Sequence, residues 1–146
     1  MEIISSRALE TKQAGQKLAE QILSGREKRR IIALQGGLGA GKTTFLQGFA
    51  QGLKIKKKVL SPTFIIFNKF SIRNHPQFKN FYHFDCYRID NFKEIEALGF
   101  EEIISSSKNI VAIEWPEKIK KLLPQEILMI NFKILKGDRR KIIYDW

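Results

Sequence analysis

The chain has 146 residues, 43% of them hydrophobic, enough for one compact core, with no apolar run near the roughly 20 residues that a membrane span requires. Cys86 is the lone cysteine, which excludes an internal disulfide and a cysteine metal site and agrees with a reducing compartment. A formal net charge of +11 suits an anionic partner such as RNA, but equally a lysine-rich solvated surface.

Met1 to Ser6 lacks the basic and then apolar segments of a secretory signal, so a cytoplasmic protein is expected. Residues 11–23 place Ala14, Leu18, Ala19, Ile22 and Leu23 on one helical face; Gly25 can end that helix, and a charged connection runs over 26–30. Ile31-Ile32-Ala33-Leu34 reads as a buried strand and residues 44–50 as a helix, with a glycine-rich loop between them. Lys54, Lys56, Lys57 and Lys58 cluster after that helix. Leu60-Ser61-Pro62-Thr63 reads as a loop, residues 64–70 as a strand, Asn74-His75-Pro76 as a turn and residues 81–85 as the returning strand of a hairpin. Residues 92–104 read as one or two short helices broken at Gly99. Residues 109–114 form a short buried strand, and Pro116 opens a helix over 117–122. Residues 126–135 and 140–144 make a final strand pair joined around Gly137-Asp138, with a second basic cluster at Arg139, Arg140 and Lys141. No repeat, linker or domain boundary interrupts the pattern. The expected fold is a single α/β domain of the P-loop NTPase type, with a mixed, partly parallel sheet flanked by helices and antiparallel additions from the hairpins.

The loop reads Gly36-Gly37-Leu38-Gly39-Ala40-Gly41-Lys42-Thr43 and fits G-x-x-x-x-G-K-S/T at every fixed position, followed by Thr44. Strand, loop and helix in that order raise the motif above a text match. Gly36, Gly39 and Gly41 let the main chain approach a polyphosphate, whose oxygens meet backbone N–H groups and the positive end of the helix. Lys42 reaches the terminal phosphates, and the Thr43 hydroxyl suits Mg²⁺.

A phosphate loop needs an acidic group at the end of a neighbouring apolar strand. Two strands offer one: residues 110–114 end in Glu114, and residues 81–85 end in Asp85. Glu114 has the cleaner strand context as a metal ligand; Asp85 suits the orientation of an attacking water or of a metal-bound water. Either carboxylate can instead cap a helix or form a surface ion pair. His83 reads as a hydrogen-bonded packing residue, and Trp115 as a core residue, a cover for the nucleotide or a partner contact.

These blocks resemble the TsaE (YjeE) family of small bacterial P-loop ATPases, which are needed to make N6-threonylcarbamoyladenosine in tRNA. The resemblance runs nearly end to end. Beside the phosphate loop it is carried by Ser61-Pro62-Thr63-Phe64, His83-Phe84-Asp85-Cys86-Tyr87-Arg88, Glu96-Ala97-Leu98-Gly99-Phe100-Glu101-Glu102 and Glu114-Trp115-Pro116-Glu117. It implies an ATP/ADP site formed by Thr11, Gly37, Leu38, Gly39, Ala40, Gly41, Lys42, Thr43, Thr44 and Trp115, with Thr11 on the adenine side. It implies Mg²⁺ held by Thr43 and Glu114, catalysis resting on Lys42 and Asp85, and a switch-like loop at Ser61, Pro62 and Thr63. It also implies partners, TsaB and TsaD, whose complex is reset by ATP binding and slow hydrolysis while TsaD performs the transfer. Three positions depart from the family pattern: Gly37 stands for an acidic or amide residue, Lys69-Phe70 for Glu-Tyr, and Cys86 for Leu.

Other readings of the same residues are a small-molecule kinase, a GTPase and a charge-driven nucleic-acid module. A kinase wants an arginine-rich lid, and Arg88 is the only arginine close to a proposed site residue. A GTPase wants N-K-x-D, and Asn68-Lys69-Phe70-Ser71 lacks its aspartate. The RNA reading lacks an aromatic signature of the Arg-Gly-Phe type.

Overall fold

The apolar stretches meet in one sheet. The structure, a computed structural model, describes residues 1–59 and 66–145. Its strands are β1 (Glu2–Ser5), β2 (Ile31–Gln35), β3 (Phe67–Ser71), β4 (Asn80–Asp85), β5 (Asn109–Glu114), β6 (Leu128–Ile134) and β7 (Arg140–Tyr144). Its α-helices are α1 (Ala8–Leu23), α2 (Lys42–Gly52), α3 (Lys93–Glu96) and α4 (Phe100–Ser105), and a 3₁₀ helix spans Pro116–Leu122. Among the described residues the strand order is β1-β7-β6-β2-β5-β4-β3. β6, β2, β5 and β4 run parallel, while β3 and β7 pair antiparallel with their neighbours and β1 pairs antiparallel with β7.

The expected α/β architecture is present, with three differences. β1 was not expected: two of its four residues are exposed, and pairing with β7 is what makes them a strand. The helix expected over 117–122 is a 3₁₀ helix interrupted at Ile119, where φ is −128°. Each expected hairpin also gives one strand, β4 or β6, to the parallel set. The strand expected over 64–70 appears as β3; the expected loop over 60–63 lies outside the described residues, as do 64 and 65.

β5 is buried at every position because both faces of the sheet are covered. On one face Ile32, Leu34, Ile110 and Ala112 pack against Leu18 and Ile22 of α1 and Phe45 and Phe49 of α2. On the other, Ile31, Val111, Ile113 and Phe84 pack against Ile95, Phe100 and Ile119. Strand alternation therefore turns Glu114, His83 and Asp85 toward the α2 side, in step with Ala112, Phe81 and Leu34. No helix among the described residues is long and apolar enough to cross a membrane.

α1 and α2 touch through their main chains. A Cβ placed on Gly48 would lie 1.9 Å from the Lys12 carbonyl oxygen, and one on Gly15 would lie 2.1 Å from that of Phe45. Neither carbonyl can yield without opening the helix pair. Gly48→Ala is therefore expected to cost about 3 kcal/mol and lower the melting temperature by about 10 °C, read by circular dichroism.

Candidate functional site

The glycine-rich loop leaves β2 after Gln35 and ends at Gly41, whose φ of +101° is one that side chains rarely adopt. That left-handed residue caps α2, so Lys42, Thr43 and Thr44 form its first turn. Lys42 is 6% exposed. Its Nζ donates to the Gly36 carbonyl and, at 2.9 Å, to that of Gly37, and lies 4.3 Å from the centre of the Trp115 ring. Burial holds the Lys42 ammonium below its ordinary pKa range, against the pull of Glu114, Glu117 and Asp85.

The two carboxylates end adjacent strands. Asp85 pairs with Glu114 across β4 and β5, and Glu114 pairs with Leu34 across β5 and β2. All three chain ends therefore meet at the carboxyl edge of the parallel strands, the place where open α/β sheets receive ligands. Glu114 is 3% exposed. Its Oε2 accepts a hydrogen bond from His83 Nε2 at 2.7 Å. Asp85 is half-buried, and its Oδ1 accepts from the Tyr87 N–H at 3.0 Å. Burial raises the Asp85 carboxyl above its ordinary range; the Tyr87 N–H opposes this and the Glu114 charge adds to it.

Trp115 follows Glu114 in a left-handed conformation, φ +57°, which is strained for so large a residue. Trp115 is half-buried, and its ring touches both Lys42 and the Tyr87 ring, the latter 4.9 Å away. It thus borders the loop as well as the apolar layer beneath β5.

Thr11 is buried in α1 and shares a 2.8 Å hydrogen bond with Ser5 of β1. Its methyl carbon would lie 3.6 Å from a Cβ on Gly41. A cleft of about 360 Å³ opens here, lined by Arg7, Thr11, Gly39, Gly41, Thr44 and Arg140 among others. Gly37, Leu38 and Gly39 are exposed along the loop and Ala40 is buried beneath it. Ser61, Pro62 and Thr63, expected as a switch-like loop, lie outside the described residues.

Sequence reading missed Arg140. It treated Arg139, Arg140 and Lys141 as a surface cluster or an RNA contact and gave Arg88 the arginine place beside the site. Instead Arg140 Nε donates to the Gly39 carbonyl at 3.1 Å and lines the cleft. These two residues are 101 positions apart, and no local pattern links them. The one available signal was the tight turn at Gly137, which brings the start of β7 back toward the loop.

The donor set suits Mg²⁺: hard oxygens from the Thr43 hydroxyl and the Glu114 and Asp85 carboxylates, with no cluster of three His, Cys, Asp or Glu groups among the described residues to hold an ion by themselves. Such a site fits a cation completed by phosphate oxygens.

The chain is similar to known proteins over most of its length. The model of the family described as "Threonylcarbamoyl adenosine biosynthesis protein TsaE" matches residues 5–142. The chain is 37% identical over 133 residues to the tRNA threonylcarbamoyladenosine biosynthesis protein TsaE of Rickettsia prowazekii, covering 90% of this chain and 88% of that one. It is 40% identical over 114 residues to the protein of the same name in Bacillus subtilis, covering 78% and 68%. The crystal structure of Bacillus subtilis YdiB superposes with a TM-score of 0.71 at 28% identity, covering 99% of this chain and 83% of that one.

The raised pKa of Asp85 has a stability consequence. Between the ordinary aspartate range and the raised value, the folded chain holds the proton more tightly than the unfolded chain, so stability falls as pH rises through that window. Asp85→Asn removes this loss. Its melting temperature should match that of the unsubstituted chain at about pH 3 and exceed it at about pH 7.

Proposed function

We propose, from the premise that this chain belongs to the TsaE family of threonylcarbamoyl adenosine biosynthesis proteins, that it is a Mg²⁺-dependent ATPase acting on a TsaB–TsaD complex in the cytoplasm. One observation carries the chemistry: a buried lysine at the head of α2 faces two carboxylates that end the adjacent parallel strands β5 and β4.

The loop N–H groups and the α2 terminus receive the polyphosphate. Lys42 exchanges the carbonyls of Gly36 and Gly37 for phosphate oxygens, and its buried charge is then matched by a stronger anion. Thr43 and Glu114 hold Mg²⁺, which when bound neutralises charge on the phosphates. Asp85, with its pKa raised by burial, accepts a proton from the attacking water more readily than an ordinary aspartate. The nucleoside lies in the cleft beside Thr11, with Arg140 steadying the loop through the Gly39 carbonyl. Trp115 packs against Lys42 and excludes water from its stem. The exposed lysines Lys54, Lys56, Lys57 and Lys58 would supply any indirect or weak contact with tRNA.

Lys42→Ala should lower ATP turnover at least about 100-fold in a phosphate-release assay. Asp85→Asn should keep ATP binding, read by calorimetry, and lose turnover. Glu114→Ala should reduce nucleotide affinity in the presence of Mg²⁺ and leave it unchanged without. Normal turnover in a folded Lys42→Ala variant contradicts the reading. The wider role is tested by mixing the chain with TsaB, TsaD and substrate tRNA. The modification is expected to pass from single to multiple turnover only with ATP and an intact Lys42.

A further inference from the structure

We propose that His83 is a positioning residue for Glu114, fixing which carboxylate oxygen is left to hold Mg²⁺; this rests on the nucleotide and metal reading above. His83 is wholly buried on β4, on the same face as Asp85, and pairs across the sheet with Ala112. The small alanine leaves room for the ring to reach Glu114, two residues further along β5. Nε2 donates to Oε2 at 2.7 Å, and the other ring nitrogen, Nδ1, is buried with no hydrogen-bond partner among the described residues.

Packing alone does not account for an imidazole here. Phenylalanine or leucine would fill the same apolar surroundings without stranding a polar nitrogen. What the imidazole adds is the donor. A glutamate side chain has three rotatable bonds, and the Glu114 charge pulls on the Lys42 ammonium. Left unanchored, the carboxylate can turn to Lys42, and an ion pair there would occupy both groups needed for the phosphates and their cation. The hydrogen bond from His83 holds Glu114 by Oε2 and leaves Oε1 to offer. Such outer contacts to a ligating carboxylate typically set metal affinity by about 10- to 100-fold.

The test measures Mn²⁺ binding to the ADP-loaded chain by electron paramagnetic resonance, beside ADP affinity without metal. His83→Phe keeps the volume and removes the donor. It is expected to lower Mn²⁺ affinity about 10- to 100-fold and leave metal-free ADP affinity unchanged. His83→Gln keeps an N–H at similar reach and should stay within about threefold of the unsubstituted chain. If the phenylalanine variant does not fold, His83→Met replaces it in the comparison. Unchanged Mn²⁺ affinity in the donor-free variant overturns the proposal, and so does an equal loss in His83→Gln. An unsubstituted chain that takes up no Mn²⁺ with ADP overturns the ATPase reading as well; uptake that the donor-free variant retains overturns this proposal alone.

Discussion

β5 is paired in parallel with β2 on one side and β4 on the other, and that register sets the position of every charged group at the site. With Glu114 opposite both Leu34 and Asp85, the glycine-rich loop begins where the two carboxylates end. A slip of one residue along β5 would turn Glu114 to the opposite face, among Ile113 and Phe84, and bring an apolar side chain beside Lys42. The register is well protected because β5 is buried on both faces, so any slip would also expose or misplace apolar groups.

The site gathers charge in a place that disfavours it. Lys42 and Glu114 are almost fully buried and Asp85 is half-buried, and burial moves the lysine and aspartate pKa values toward their neutral forms. Each group is held by specific partners: loop carbonyls and an indole for Lys42, an imidazole for Glu114, and a backbone N–H for Asp85. On the proposed reading, a polyphosphate with its cation would meet groups already stripped of water and already aimed, which is how preorganised electrostatics gain strength. The strained backbone at Trp115 belongs to the same arrangement, since it turns the chain directly after Glu114 and brings the indole beneath Lys42.

What could be read in the sequence was local. The glycine-rich loop is a contiguous motif whose glycines, lysine and threonine can be read together with the strand before it and the helix after it, all of them local signals. Glu114 and Asp85 were visible because apolar runs lead into them, and the break at Gly99 because a left-handed glycine caps the second of two short helices. What escaped notice depends on partners far along the chain. β1 is a strand only through β7, and Arg140 becomes a loop contact only after the β6–β7 turn folds back. The bond from His83 to Glu114 joins residues 31 positions apart on neighbouring strands and requires the register to be known. The sequence also presented β4 and β6 as halves of hairpins, because hairpin turns are local while parallel pairing is not.

The main-chain contact between α1 and α2 fixes one border of the cleft. Gly15 meets the Phe45 carbonyl and Gly48 that of Lys12, so the two backbones touch directly, and the Thr11 methyl sits against Gly41. A second border depends on one long arginine side chain that reaches from β7 to the Gly39 carbonyl. Shortening that side chain would widen the cleft and leave the interlocked helices as they are, whereas one added carbon at Gly48 would disturb helices and cleft together.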